Sequence, residues 1–167
     1  MSSALEQMWA HNNWANRRLI EACKDLDDKV LGASVDGTYG AIKDTLLHIV
    51  ASQEGYAALL TEKSREEREI SHEDEFPGFD RLAEISDSSG KVLSDVAEQV
   101  ADKTYQRPFG GKEWKIPGKV VLTQMINHAT EHRAHINTIL TQNGVEPVNL
   151  DGWSHGFEVG GIVEATP

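Results

Sequence analysis

The chain has 167 residues, 39% of them hydrophobic, which is enough to bury a real core and is expected to form one domain over residues 1–167. A net charge of −11 argues against nucleic acid and against an anionic membrane as partners, because both are polyanions. No apolar run approaches the roughly 18 residues of a membrane span, the start MSSALEQMWAHNN lacks a basic stretch followed by an apolar core, and Cys23 is the only cysteine, so a cytoplasmic protein without an intrachain disulfide is expected.

Ser2 or Ser3 can cap a first helix, with Glu6 in capping-box range of Ser3. Leu5, Met8, Asn12, Ala15, Leu19, Ala22 and Leu26 then follow a 3-4-3-4 rhythm, the seam of a helix packed in a bundle. Asn12 is the polar member of that seam. A buried amide needs partners, so it either fixes register or reaches toward a polar site; the first role is the better attested. Cys23 lies beside the seam and reads as a small apolar residue, not a nucleophile.

Residues 27–38, with Gly32 and Gly37, read as a connection. A second helix is predicted over Ile42–Leu60, with Leu46, Ile49, Val50, Ala57 and Leu60 inward. His48 falls in its apolar run LLHIVAS, and Ala41, Ala51, Ser52 and Gly55 leave room beside the ring. A packed histidine with one hydrogen bond is the competing reading. The acidic stretch 61–80 is expected to extend this helix by a turn or two and then cross over, ending at Pro77 and Gly78. Its His72 reads as exposed. Glu69 and His72 fit the E-x-x-H spacing of di-iron carboxylate bundles, but the chain has no second copy, so that reading is set aside.

A third helix is predicted over Phe79–Val100, with Leu82, Ile85, Ser89, Val92, Val96 and Val100 inward. Gly110 and Gly111 then divide two short stretches that suit a hairpin, Tyr105–Arg107 against Glu113–Ile116. The Gly-Gly-Lys there lacks the spacing of a phosphate loop. Pro117 and Gly118 lead into a fourth helix, Lys119–Asn143, which Gly144 stops. The glycine-rich tail from about residue 145 is expected to be pinned by Trp153 and Phe157, with His155 incidental. The fold class expected is all-α: a four-helix bundle with one long crossover and a small β-hairpin before the last helix.

The fourth helix carries His128, His132 and His135 at i, i+4 and i+7, one stripe beside the apolar Val121, Met125, Ala129, Ile136 and Ile139. Side chains at i and i+4 point the same way, about 6 Å apart, so His128 and His132 can grip one ion. Adding His48 makes three protein ligands with an open position, the arrangement of a catalytic metal site; a structural zinc site is closed by four. Ala129 stands where a zincin motif would require glutamate, so that class is excluded.

The segments NNWANRRLI (Asn12 to Ile20), TLLHIV (Thr45 to Val50), NHATEHRAHI (Asn127 to Ile136) and NGVEP (Asn143 to Pro147) together resemble the DinB/YfiT-like metalloproteins. That resemblance implies a four-helix bundle, often a homodimer, with a divalent metal on three histidines. By position these are His48, His128 and His132. The position of His135 is usually glutamine in that family, so a histidine there would act as a donor beside the ligands or as a competing ligand. Asn12 and Arg133 are candidate neighbours of the site; Arg133 is otherwise a surface ion pair.

Three neutral imidazoles leave the ion its full positive charge, so a bound thiol or water would lose its proton near neutral pH. Three readings follow. The ion holds the thiolate of a small cellular thiol that attacks an electrophile, as in related thiol S-transferases and a thiol-dependent isomerase. Alternatively, a metal hydroxide hydrolyses an ester or amide, although Glu131 points about 100° away from His132 and supplies no clear base. In the third, the protein is a non-catalytic metal-binding stress or interaction protein. The transferase, acting on a small-molecule substrate, is the preferred expectation. The ligand set suits zinc, nickel, iron or manganese alike.

Overall fold

The computed structural model describes residues 3–165. Four long helices, α1 (Ala4–Cys23), α3 (Ile42–Leu60), α4 (Phe79–Val100) and α5 (Gly118–Gln142), are joined by two short ones, α2 (Asp28–Leu31) and α6 (Gly152–Glu158). The fold is therefore all-α with six helices among the described residues, where four were expected. α2 forms inside the connection because Asp27 caps it, its side chain accepting from the Lys29 amide. Around the bundle the long helices neighbour one another in the order α1, α4, α3, α5. Before α5 comes the antiparallel hairpin β1 (Thr104–Phe109) and β2 (Lys112–Pro117), which pairs Tyr105 with Ile116 and Arg107 with Trp114.

Local chemistry sets the helix ends. Ser3 and Glu6 form the reciprocal capping box at α1, with bonds of 3.1 and 2.7 Å; Ser2 lies outside the described residues. α3 stops at Leu60 and does not extend into the acidic stretch. Glu62 takes a left-handed φ of 58°, and the Lys63 amide turns back onto Ala58 O at 2.9 Å. α5 ends in the same way at Gly144, φ 74°, with the Val145 amide on Leu140 O. Gly118 is required by proximity: a Cβ there would lie 1.9 Å from Val100 O. The close approach lets the hairpin fold under α5, where the Tyr105 hydroxyl donates to Leu60 O at 3.0 Å.

The seam of α1 keeps the expected Asn12, Ala15 and Leu19 and widens toward the residues that follow the other expected positions. Trp9, Asn12, Ala15, Asn16, Leu19, Ile20 and Cys23 are buried, while Met8 is 49% exposed and Ala22 is exposed. α1 is flanked by both α4 and α5, so its buried stripe is wide, and the large Trp9 ring takes the inward position next to Met8. Leu26 lies beyond the helix end, half-buried.

Two apolar clusters fill the bundle. One is centred on Leu19, Leu46, Leu82 and Ile136, the other on Trp9, Leu93, Met125 and Tyr105. A buried polar ladder also crosses all four long helices. Arg133 Nη1 donates to Asn12 Oδ1 (2.8 Å) and Asn16 Oδ1 (2.6 Å), and its Nη2 donates to Thr130 Oγ1 (3.0 Å). Asn16 Nδ2 donates to Gln53 Oε1 (3.1 Å), and Gln53 Nε2 donates to Ser86 O and Ser89 Oγ, both at 2.8 Å. Arg133 is 4% exposed, so the alternative of a surface ion pair falls and the side chain is a buried cation on neutral groups. Burial holds its pKa down at about 10, still charged at neutral pH.

The tail docks differently from expectation. Trp153 and Phe157 are 72% and 64% exposed, and the buried residue is His155, packed edge-on to His11 and against Trp14. Glu158 accepts from Trp14 Nε1 (3.0 Å) and Arg18 (2.9 Å). A ring nitrogen of His11 meets Leu150 O at 2.8 Å. Among the described residues no helix is long and apolar enough to cross a membrane.

Candidate metal centre

α3 and α5 are neighbours in the bundle, and their facing sides carry His48 on α3 and His128 and His132 on α5. His48 Nε2 lies 2.9 Å from His128 Nε2, and His132 Nε2 lies 3.1 Å from the same atom. One ring nitrogen from each residue falls within 4.8 Å of the other two. His132 is buried and the other two are half-buried; Ala51 and Ala129, on the same two helices, are small buried core residues.

Burial lowers all three imidazole pKa values. His48 is pushed down to about 4, first by burial and then by His128, His132 and His72. His128 is also pushed down to about 4, by burial and then by His132. His132 is lowered by burial and by His135. The rings are therefore neutral near pH 7, each with one lone pair to offer.

The donor chemistry fits a cation. Both short contacts converge on one atom, His128 Nε2, which carries either one proton or one lone pair. No set of neutral tautomers gives each contact its own hydrogen bond. A divalent ion would take the lone pairs of all three together.

Other expected site residues fall around this group. His135 lies further along α5, its ring edge-on to His132 at 5.3 Å and its buried Nδ1 without a partner. It does not belong to the converging three. Asn12 and Arg133 are bonded to each other in the polar ladder, one residue along α5 from His132. Sequence reasoning missed Tyr39 and His72. The Tyr39 ring stacks on His48, centroids 4.0 Å apart and planes at 20°, and meets His132 edge-on at 5.0 Å. His72 is exposed, as expected, yet its Nδ1 reaches His48 Nδ1 at 3.2 Å. Both come from connecting segments, where no periodicity announces a neighbour.

The sequence model of the DinB family matches residues 1–158. The chain is 23% identical over 162 residues to Protein DinB of Bacillus subtilis (strain 168), an alignment that covers 90% of this chain and 92% of that protein. A crystal structure of a DinB-like protein from Bacillus cereus ATCC 10987 matches with a TM-score of 0.66 at 15% identity, over 87% of this chain and 94% of that one. At that identity the structural likeness concerns the fold.

Proposed function

This chain belongs to the DinB family, and we propose that it is a divalent-metal-dependent enzyme of that family, a low-molecular-weight-thiol S-transferase with His48, His128 and His132 as ligands. The observation that carries the reading is the convergence of three neutral imidazole nitrogens from two rigid helices. When bound, the cation supplies a Lewis-acid centre that favours the thiolate form of a coordinated thiol at neutral pH. The chain's own groups do the rest. The three imidazoles bring no negative charge, so the ion's charge is left for the substrate side. Tyr39 covers one face of His48 and limits water there.

The thiol comes from a small cosubstrate. Cys23 is buried in the apolar core, and burial pushes its thiol up to about 12. The converging group contains no carboxylate, which favours transfer by a bound thiolate over base-assisted hydrolysis. The reading includes a homodimer in the cytoplasm, for which exposed Met8, Trp153 and Phe157 offer apolar surface; light scattering in solution tests it.

Metal analysis of protein purified without a histidine tag, followed by turnover assays with small thiols and model electrophiles, tests the function. Thiol-dependent turnover that disappears in His48→Ala and His132→Ala is expected. Turnover without thiol would point to hydrolysis. Tight metal retention with no turnover would leave a binding protein.

A further inference from the structure

We infer that His72, on the crossover between α3 and α4, is a positioning residue that holds the proton of His48 on Nδ1 and so keeps His48 Nε2 free to bind the cation; the inference rests on the metal-centre reading above. His48 Nδ1 and His72 Nδ1 are 3.2 Å apart, with ring centroids 4.8 Å apart and planes tilted by 37°. At that distance one nitrogen donates and the other accepts. The two assignments have opposite consequences. If His72 donated, the His48 proton would sit on Nε2 and point into the space where the other two Nε2 atoms converge. If His48 donates, its Nε2 lone pair joins theirs, and His72 carries its own proton on Nε2. Only the second arrangement is compatible with a ligand role for His48.

The segment around His72 is built to hold that position. Ile70, two residues earlier, is buried in the core cluster with Leu46 and Leu82. The Glu69 amide donates to Glu54 on α3 (3.2 Å), and Glu69 accepts from Arg81 on α4 (2.7 Å). The Ser71 amide donates to Asp74 (2.7 Å). Arg68 and Glu73 are the charged groups that act on His72 itself. His132 offers a contrast: its outer nitrogen, Nδ1, is buried without a partner. Among the described residues, His48 is the ligand whose outer nitrogen meets an acceptor side chain from another element. Tyr39 stacked on its face fixes the ring plane as well.

Two variants separate hydrogen bonding from packing. His72→Asn keeps a short acceptor near the same place, and His72→Phe keeps a ring without one. Zinc affinity is measured by chelator competition, and the His48 tautomer is read by long-range nitrogen–proton NMR in metal-free and zinc-loaded protein. His72→Phe is expected to weaken zinc binding roughly 10–100-fold, the usual effect of losing such a partner, with His72→Asn close to wild type. In the metal-free protein His48 is expected to carry its proton on Nδ1 in wild type and His72→Asn, and to lose that preference in His72→Phe. Equal affinity and an unchanged tautomer in His72→Phe would overturn the inference. So would equal losses in the two variants. If wild-type protein fails to hold zinc or any other divalent ion, the proposed function falls, while the metal-free tautomer measurement still decides the role of His72.

Discussion

Replacing Asn16 with alanine removes the polar ladder's middle rung. Its Oδ1 accepts from Arg133 at 2.6 Å, and its Nδ2 donates to Gln53 Oε1 at 3.1 Å. A hydrogen bond from a charged donor contributes about 1.5–3 kcal/mol, and a buried acceptor stranded without its donor costs about 1–3 kcal/mol. Arg133 keeps Asn12 and Thr130, so its charge is not abandoned. Alanine's better helix propensity returns only about 0.5 kcal/mol. The net loss works out at about 2–5.5 kcal/mol, and at about 2–4 °C per kcal/mol for a chain of this size Tm should fall by roughly 4–22 °C. Far-UV circular dichroism at pH 7, with heat and with urea, reads both quantities. Gln53→Ala completes a double-mutant cycle, and the double variant should lose less than the sum of the singles because one bond is counted twice. A loss below about 1 kcal/mol, or strict additivity, would show that the ladder is not acting as a connected network.

Zinc at 100 times its Kd should stabilise the protein by about 2.7 kcal/mol, a rise in Tm of roughly 5–10 °C, and His132→Ala should abolish the shift in differential scanning fluorimetry. Cys23, with its thiol pushed up to about 12, should resist iodoacetamide at pH 8.5 in the folded protein and react once urea unfolds it, a contrast that mass spectrometry resolves. Gly118→Ala should lower Tm more than Gly90→Ala. The new methyl at 118 meets the Val100 carbonyl at 1.9 Å, which is backbone, while at 90 it meets the movable side chain of Asn13 at 2.5 Å. Equal Tm losses would sink that distinction.

The parts of the fold that could be read from sequence are those with a period or a punctuation residue. α4 runs over Phe79–Val100 as expected, because an apolar stripe follows the Pro77-Gly78 stop, although Leu93 and Ala97 turn inward in place of Val92 and Val96; α3 starts at Ile42 as expected but ends at Leu60, without the extension into the acidic stretch. The three converging histidines were legible for the same reason, since an i, i+4 pair and one apolar-set histidine lie on predictable helix faces. Tyr39 and His72 were not, because nothing in a loop's composition says where its path will carry a ring. The tail shows a different failure. Trp153 and Phe157 share one face of α6 and His155 lies about 200° around from each, so only one side can dock. Residue size favoured the aromatics. The partners on α1, His11 and Trp14, selected the histidine instead.

Asn16 and Gln53 were also missed as ladder members, and their position bears on the site. His132 and Arg133 are consecutive on α5, so their side chains diverge by about 100°. α5 lies between α3 and α1 in the bundle, which lets His132 face His48 on α3 while Arg133 faces Asn12 and Asn16 on α1. A rotation of α5 that withdrew His132 from the other two rings would also pull the guanidinium off both amides. Those bonds therefore resist a motion that would pull the three histidines apart, without touching an imidazole. Asn16→Ala should accordingly weaken zinc binding as well as stability, and the affinity loss should persist at temperatures where circular dichroism shows the variant fully folded. Wild-type affinity in that folded variant would confine the ladder to stabilising the bundle.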